Sequence, residues 1–339
     1  MRFNVVHDLA VFYGENDWHY YLSQGIPLLC TTIAPFALTG LYKSSDVPGV
    51  LKDPVISANA IKALTFIVLT TISSLSFVSH KEVRFITPLL PMLHILAAPH
   101  ITSFFTTALD AAGSNSSSSS ASRALNWKQK PVLLAGLLIN VVIGGYLASF
   151  HAAAPISVMS FLRAEFERVH PEHLEISRPA VAATETIPNE LFALFLTPCH
   201  ATPWRSHLAY PALRARGLTC DPPVDTAPGS TERREYQHED ARFFADPAAF
   251  LRDELWPRAA PGEDVPRYIV GFEGAVGDAL EAYFGDRTPG APGARHAVVL
   301  KEVWSAWNGL FSDDDRKAGR LVVWSTGFYD EPIDYVGML

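Results

Sequence analysis

Residues 63–101 read ALTFIVLTTISSLSFVSHKEVRFITPLLPMLHILAAPHI, two apolar runs joined by the charged turn His80 to Arg84. A hydrocarbon core of about 30 Å takes about 20 apolar residues in helical form, and each run approaches that length. A short charged turn between two such helices belongs at the water boundary. Two further runs without Asp, Glu, Lys or Arg, residues 18–42 and 131–162, join 63–80 and 85–109 to make four candidate spans. Soluble cores seldom place four such runs in series behind short polar loops. The prolines at 27, 35, 88, 91 and 99 agree with this, because packed membrane helices satisfy the carbonyls that proline frees.

Composition divides the 339-residue chain near position 150. Residues 1–150 carry nine basic and seven acidic side chains, and residues 151–339 carry 18 and 28. Neither part has the basic excess expected of a nucleic-acid binder. Beyond residue 160, strand-like stretches (191–198, 267–272, 320–325) alternate with amphipathic ones (240–255, 276–285), as in a compact α/β unit. Segments rich in Pro and Gly at 221–230 and 287–294 read as surface loops. The expected fold is a multi-pass α-helical membrane protein of about four spans followed by a luminal α/β domain. Its expected parts are an N-tail (1–17), a membrane region (18–150) and the α/β domain (151–339).

Sidedness follows from the basic residues, which favour the cytosol. Loops 43–62 and 110–130 carry Lys43, Lys52, Lys62, Arg123, Lys128 and Lys130, against Arg2, Lys81 and Arg84 on the other side. The N-tail, the charged turn and the C-terminal domain are therefore expected in the lumen, and the Ser-rich loop 110–130 in the cytosol. Its tract GSNSSSSSAS (113–122) is a flexible linker by composition. There the glycosylation acceptor at Asn115 stays bare. The first apolar run starts well behind Met1, so no cleaved signal peptide is expected; either the first span is a signal anchor or an upstream part of the chain is missing.

Three constellations could carry chemistry. In His80–Lys81–Glu82–Val83–Arg84, Lys81 and Arg84 offer donors suited to a phosphate, and Glu82 can orient one of them. The plain alternative is a snorkelling connector between helices. In FYGENDWHYYLSQGIP (12–27), Trp18, His19, Tyr20, Tyr21 and Gln24 offer an aromatic platform with polar partners, as sugars prefer, or simply an interfacial aromatic belt. Lying on the same side, these two segments could serve one site. In TPCHATPWRSHLAYP (197–211), His200 and His207 are candidate ligand contacts. Cys199 and Cys220 could pair in an oxidising lumen, with free thiols as the alternative. No second close Cys/His pair of zinc spacing accompanies them, so no metal is expected. A Gly-rich phosphate loop and a Gly-x-Ser-x-Gly elbow are both absent from the sequence, which disfavours nucleotide-driven chemistry and a serine hydrolase.

These motifs, in this order, resemble the membrane mannosyltransferases of glycosyltransferase family 22. HKEVRF is similar to the family's HKEERF signature, with Val83 in place of the second acidic residue. FYGENDWHYYLSQGIP, LTPCHATPWRSHLAYP with LTCDPP after it, and HEDARFFADPAAFL extend the resemblance over nearly the whole chain. It implies an enzyme of the endoplasmic reticulum membrane that takes mannose from dolichyl phosphate mannose. The acceptor implied is a GPI-anchor intermediate, which receives its third mannose in an α-1,2 linkage with inversion. The partners implied are thus the lipid-linked donor, the glycolipid acceptor and membrane lipids, with no separate cofactor. His80, Lys81 and Arg84 match the motif that would meet the leaving phosphate. The family's catalytic carboxylate lies in an early luminal loop, whereas Asp8, Glu15 and Asp17 align with a later one. The base is accordingly expected in a region before this chain, and no catalytic residue is assigned. Assembly of dolichol-linked oligosaccharide and a catalytically incomplete, glycolipid-binding membrane protein are the alternatives. A transporter would want ionisable residues buried mid-span, and only Lys62, His94 and His100 lie in or beside spans.

Overall fold

The structure is a computed structural model that describes residues 12, 14–43, 54–108, 123–171, 190–256, 265–285, 300–312 and 314–329. Two compact units emerge, Met1–Gly145 with Pro223–Arg233 and Tyr146–Pro222 with Arg234–Leu339.

Among the described residues four helical segments are long and apolar enough to cross a membrane, three in the first unit and a fourth, Trp127–Val169, that begins there and runs on into the second. The first, Tyr21–Tyr42, is broken: a wide turn over Tyr21–Gly25 leads into α1 (Ile26–Cys30), a tight turn at Thr31–Ile33 follows, and α2 (Ala34–Tyr42) completes it. Thr31 at the break has φ 47°. A broken span survives in lipid only where neighbours take up its polar groups, and here Asn140 does so in part. Its Oδ1 accepts from Thr31 Oγ1 at 3.1 Å and its Nδ2 donates to Thr32 Oγ1 at 2.8 Å.

The second span is α3 (Pro54–Ser76). It begins well before the apolar run that starts at Ala63, because Pro54 suits a first helical turn and Lys62 stays exposed. A tight helical stretch, Val83–Leu89, leads into α4 (Leu90–Phe105). Helices α2 and α4 meet at Gly40, where a Cβ would lie 2.3 Å from the carbonyl oxygen of Leu96. Small residues allow this approach in a membrane bundle, where close backbone packing replaces hydrophobic drive. Around it Tyr21, Ile26, Cys30, Ala37, Val68, Ile72, Ile86, Leu93 and Ala97 form the unit's core. Strands β1 (Thr106–Ala108) and β2 (Arg123–Leu125) pair antiparallel at the ends of the Ser-rich loop, whose residues 109–122, Asn115 among them, lie outside the described residues.

The fourth apolar run departs from expectation. Helix α5 (Lys130–Ser149) ends before the run does, and Ala152 takes φ 52°. The chain restarts as α6 (Ala154–Val169), whose Ala154, Val158, Leu162 and Phe166 recur every fourth residue and are all buried. That spacing makes 154–162 one face of an amphipathic helix rather than membrane-spanning surface. By contrast, α5 has no buried residue; Val132, Leu134, Leu137, Leu138, Val141 and Val142 are exposed. A helix apolar nearly all round, with none of its residues buried among the described ones, fits lipid.

The second unit is built on a five-stranded mixed sheet. In chain order β3 (Leu191–Leu196) is followed by α7 (Arg205–Leu208), β4 (Ala215–Gly217), α8 (Thr231–Glu235, which begins in the Pro223–Arg233 segment of the first unit), α9 (Glu239–Ala245), α10 (Pro247–Phe250), β5 (Pro266–Phe272), α11 (Glu273–Gly285), β6 (Lys301–Ala306) and β7 (Leu321–Ser325). The order is β4-β3-β5-β7-β6, with β3 parallel to β4 and β5, and β7 antiparallel to β5 and β6. LFALFL is buried at every residue, the pattern of a strand covered on both faces. Phe192, Phe195, Tyr268, Val270, Leu321 and Val323 pack with α6 on one face. Leu194, Leu196 and Ile269 pack on the other with Phe243, Phe250, Val276 and Leu280. The expected strands and helices are present, and β4, β6, α6, α7 and α8 are additions. The loop expected at 287–294 lies outside the described residues.

Candidate functional site

The charged turn does not project freely into solvent. Residues 14–17 run alongside it and the two segments clasp each other. Asn16 N donates to Ser79 O at 3.1 Å, and Asn16 Nδ2 donates to Lys81 O at 2.9 Å. In return Lys81 Nζ donates to Asn16 O at 2.6 Å. Lys81 is 4% exposed. An ammonium so enclosed is satisfied by the carbonyls around it, as a buried charge must be. The ammonium that the sequence offered to a phosphate is thus enclosed in this structure, tying the turn to residues 14–17.

His80 and Glu82 continue the lacing. His80 Nδ1 lies 3.2 Å from Gly14 O and Nε2 lies 2.7 Å from Glu82 Oε1. Both partners are acceptors, so the ring satisfies them together when each nitrogen carries a hydrogen. Glu82 also takes Arg84 in a two-pronged grip, Nη2 donating to Oε1 at 2.7 Å and Nε to Oε2. Burial pushes the Glu82 carboxyl up, but the hydrogen bonds from His80 and Arg84 outweigh it and hold the carboxyl below its usual range. The Arg84 side chain is 75% exposed. Glu82 thus fixes a guanidinium whose outer edge faces away from the turn, and a guanidinium fork matches the geometry of phosphate oxygens.

The aromatic segment divides in the same way. Trp18, His19 and Gln24 are exposed, and Tyr20 is half-buried with its ring edge-on to Tyr21. His19 Nδ1 is 3.0 Å from Ser23 Oγ. Tyr21, grouped with them in the sequence, is instead fully buried in the core. The wide turn at Tyr21–Gly25 is a form often found at functional sites. Asn16, not among the residues singled out from the sequence, is what ties this segment to the turn. Its only signal was its place between Glu15 and Asp17, where a neutral amide can donate as a carboxylate cannot.

His200 and His207 belong to the second unit. The loop after β3 emerges where the chain leaves that strand for β4 on one side and returns to β5 on the other, the position at which open α/β sheets hold ligands. Cys199 and Cys220 are bonded to each other there, with S–S 1.92 Å, and His200 Nε2 lies 3.4 Å from Cys220 Sγ. The three side chains lie within metal-binding reach, yet sulfurs joined to each other are not thiolate ligands. His207 is exposed beside Ser206. Asp240, inside the HEDARFFADPAAFL stretch but not singled out there as a site residue, is 2% exposed and pairs with Arg316 Nη1 at 2.8 Å. Its Oδ1 has no hydrogen-bond partner among the described residues. Burial raises its pKa, against the pull of Arg316.

Comparison with known proteins adds the following. A model of the Alg9-like mannosyltransferase family matches residues 1–209. GPI mannosyltransferase 3 of Gibberella zeae is 44% identical over 331 residues, 97% of this chain and 52% of that protein. The protein of the same name in Aspergillus fumigatus is 37% identical over 96% of this chain and 42% of its own length. GPI alpha-1,2-mannosyltransferase 3 of Mus musculus is 27% identical over 80% of this chain and 39% of its own. The chain spans about half the length of the curated relatives it matches. No solved structure matches.

Proposed function

The chain belongs to the Alg9-like mannosyltransferase family, and on that premise we propose that it serves transfer of mannose from dolichyl phosphate mannose to a GPI-anchor intermediate. The linkage is the α-1,2 bond of the third mannose, made at the luminal face of the endoplasmic reticulum membrane. In this reading the acceptor hydroxyl attacks C1 of the donor mannose as the bond from C1 to the phosphate oxygen breaks. Dolichyl phosphate leaves, and the hydroxyl proton passes to a carboxylate base. Such a reaction needs fixed positive charge where the phosphate's charge develops.

The observation that carries the proposal is the exposed Arg84 guanidinium, held from one side by Glu82 at the end of a span. Lys81 anchors the turn from below, and Trp18, His19, Tyr20 and Gln24 offer the adjoining segment a sugar-binding role. The relatives' printed names support the acceptor class. The sheet unit, with its exposed His200 and His207, is offered as a glycolipid-contacting domain.

The test is transfer of labelled mannose in microsomes, with this chain replacing the matching half of the Gibberella zeae relative. Arg84→Ala is expected to lower transfer roughly 10²–10³-fold, the usual loss when one preorganised donor is removed. Arg84→Lys should retain part, keeping charge without the fork. Unchanged transfer in Arg84→Ala would sink the role. Supplying a dolichol-linked oligosaccharide acceptor in parallel separates the two acceptor classes.

A further inference from the structure

Helix α5 has 20 residues, so at about 1.5 Å per residue it is about as long as the hydrocarbon core is thick. Tyr146, near its C-terminal end, therefore lies close to a membrane–water interface. Its hydroxyl is not left to solvent: Leu310 N donates to Tyr146 Oη at 2.6 Å. Ala152 N donates to Asn308 O at 3.1 Å, and the Phe150 and Trp307 rings lie 6.3 Å apart. The loop after β6 is thus fastened to the end of α5 by two hydrogen bonds and an aromatic contact. Gly309 makes this possible, with φ 114° and a Cβ position 2.9 Å from Tyr146 Oη that no side chain could share.

What the loop then presents is apolar. Trp307, Leu310 and Phe311 are 47%, 67% and 75% exposed, and Phe150 beside them is 53% exposed. No Asp, Glu, Lys, Arg or His occurs between Glu302 and Asp313. Exposed apolar side chains clustered on one loop mark a surface that is covered in use. At the level of the Tyr146 hydroxyl, the surrounding medium is the headgroup region, where Trp and the ends of apolar side chains are favoured.

We propose that residues 307–311 form a lipid-dipping loop that seats the sheet unit on the bilayer around the end of α5. The partner is the phospholipid interface itself, recognised by apolar insertion and not by charge. The fastening to Tyr146 sets how deep the loop goes.

The test uses the full chain reconstituted in phospholipid vesicles with Cys30→Ala, leaving the Cys199–Cys220 bond in place. A nitroxide is attached at Leu310→Cys, at Phe311→Cys, or at Lys301→Cys, which lies at the far end of β6. That strand of six residues spans about 17–20 Å. Relaxation by oxygen, which concentrates in lipid, is compared with relaxation by a water-soluble nickel chelate. The ratio of oxygen to chelate collisions is expected to be several-fold higher at 310 and 311 than at 301. Equal ratios at all three positions would overturn the proposal. So would labels at 310 and 311 shielded from both reagents, which would place a protein surface there. Gly309→Val, which dislodges the loop from Tyr146, is expected to lower the ratio at 310 towards that at 301.

Discussion

Replacing Glu82 by Gln isolates how much of Arg84's action depends on being held. The carboxylate accepts from His80 Nε2 at 2.7 Å and from Arg84 through both Nη2 and Nε. An amide keeps one acceptor oxygen and sets an N–H₂ against the remaining donors. Hydrogen bonds to a charged group contribute about 1.5–3 kcal/mol each when shielded, which describes the His80 contact. The Arg84 contact is mostly exposed, where pairs contribute about 0.2–1 kcal/mol. Only this second part bears on the guanidinium proposed to meet the phosphate, so Glu82→Gln should reduce transfer by up to about fivefold. Arg84→Ala, which removes the charge itself, should cost far more. The assay is microsomal transfer of labelled mannose at fixed pH, with both variants compared for membrane abundance. Because the Glu82 carboxyl sits below its usual range, its stabilising effect is present above the unfolded-state value and is lost only as pH falls through the lowered one. Transfer between pH 6 and 8 should therefore be flat in this respect. Glu82→Gln losing as much as Arg84→Ala would refute the reasoning, since Glu82 would then touch substrate directly.

Gly40→Ala places a methyl 2.3 Å from the Leu96 carbonyl oxygen, while Gly136→Ala meets nothing closer than 3.9 Å; thermal melting in detergent should fall by several degrees for the first and hold for the second. Burial raises the Asp240 pKa, so its contribution to stability is present at acid pH and declines as pH rises through the raised value. Asp240→Asn should flatten that part of the melting-temperature profile between pH 4 and 8, and a variant that steepens it would show the sign to be wrong. Arg316→Ala leaves the Asp240 carboxylate buried without its cation and should cost about 1–3 kcal/mol, relieved when combined with Asp240→Asn. The Cys199–Cys220 bond closes a loop with a sequence separation of 21, and reducing it should cost about 3 kcal/mol. Maleimide labelling of the unreduced, denatured chain should modify Cys30 alone.

Much of this architecture was legible because it rests on one-dimensional patterns. Four apolar runs give four helical segments long and apolar enough to cross a membrane, and LFALFL, RYIVGF and RLVVWS give three of the sheet's strands, since length and hydropathy mark both. The end of the fourth span was not legible: residues 131–162 lack charge throughout, and only the fourfold spacing of Ala154, Val158, Leu162 and Phe166 marks the change from lipid-facing to core-facing helix. β6 escaped notice because KEVWSA lies at the sheet's edge, where one-sided burial leaves no apolar run. In the turn, the ionisable residues were visible but their directions were not. Lys81 and Arg84 are both basic and three residues apart, and composition cannot say that one is enclosed by Asn16 and Ser79 while the other faces out. Such a division depends on segment 14–17 crossing the turn, a pairing over more than 60 residues that no local pattern records.

That division also explains why the turn carries charges of both signs. A lysine alone at the boundary would snorkel to water and leave the two helices free to slide. Enclosing it against the Asn16 carbonyl fixes the turn to the aromatic segment, and the cost of burying the ammonium is met by the carbonyls already oriented there. With the backbone fixed, Glu82 can serve as a stationary counter-charge, and in the proposed role Arg84 held against it would meet a phosphate with little rotamer freedom left to lose. His80 completes the chain by tying Glu82 to Gly14. The order of dependence is testable in one comparison. Lys81→Met, which keeps the stem and removes the ammonium, should loosen residues 14–17 and lower transfer together with protease resistance, whereas Arg84→Ala should lower transfer and leave protease resistance intact. Equal protease resistance in both variants would mean that the clasp does not order the turn.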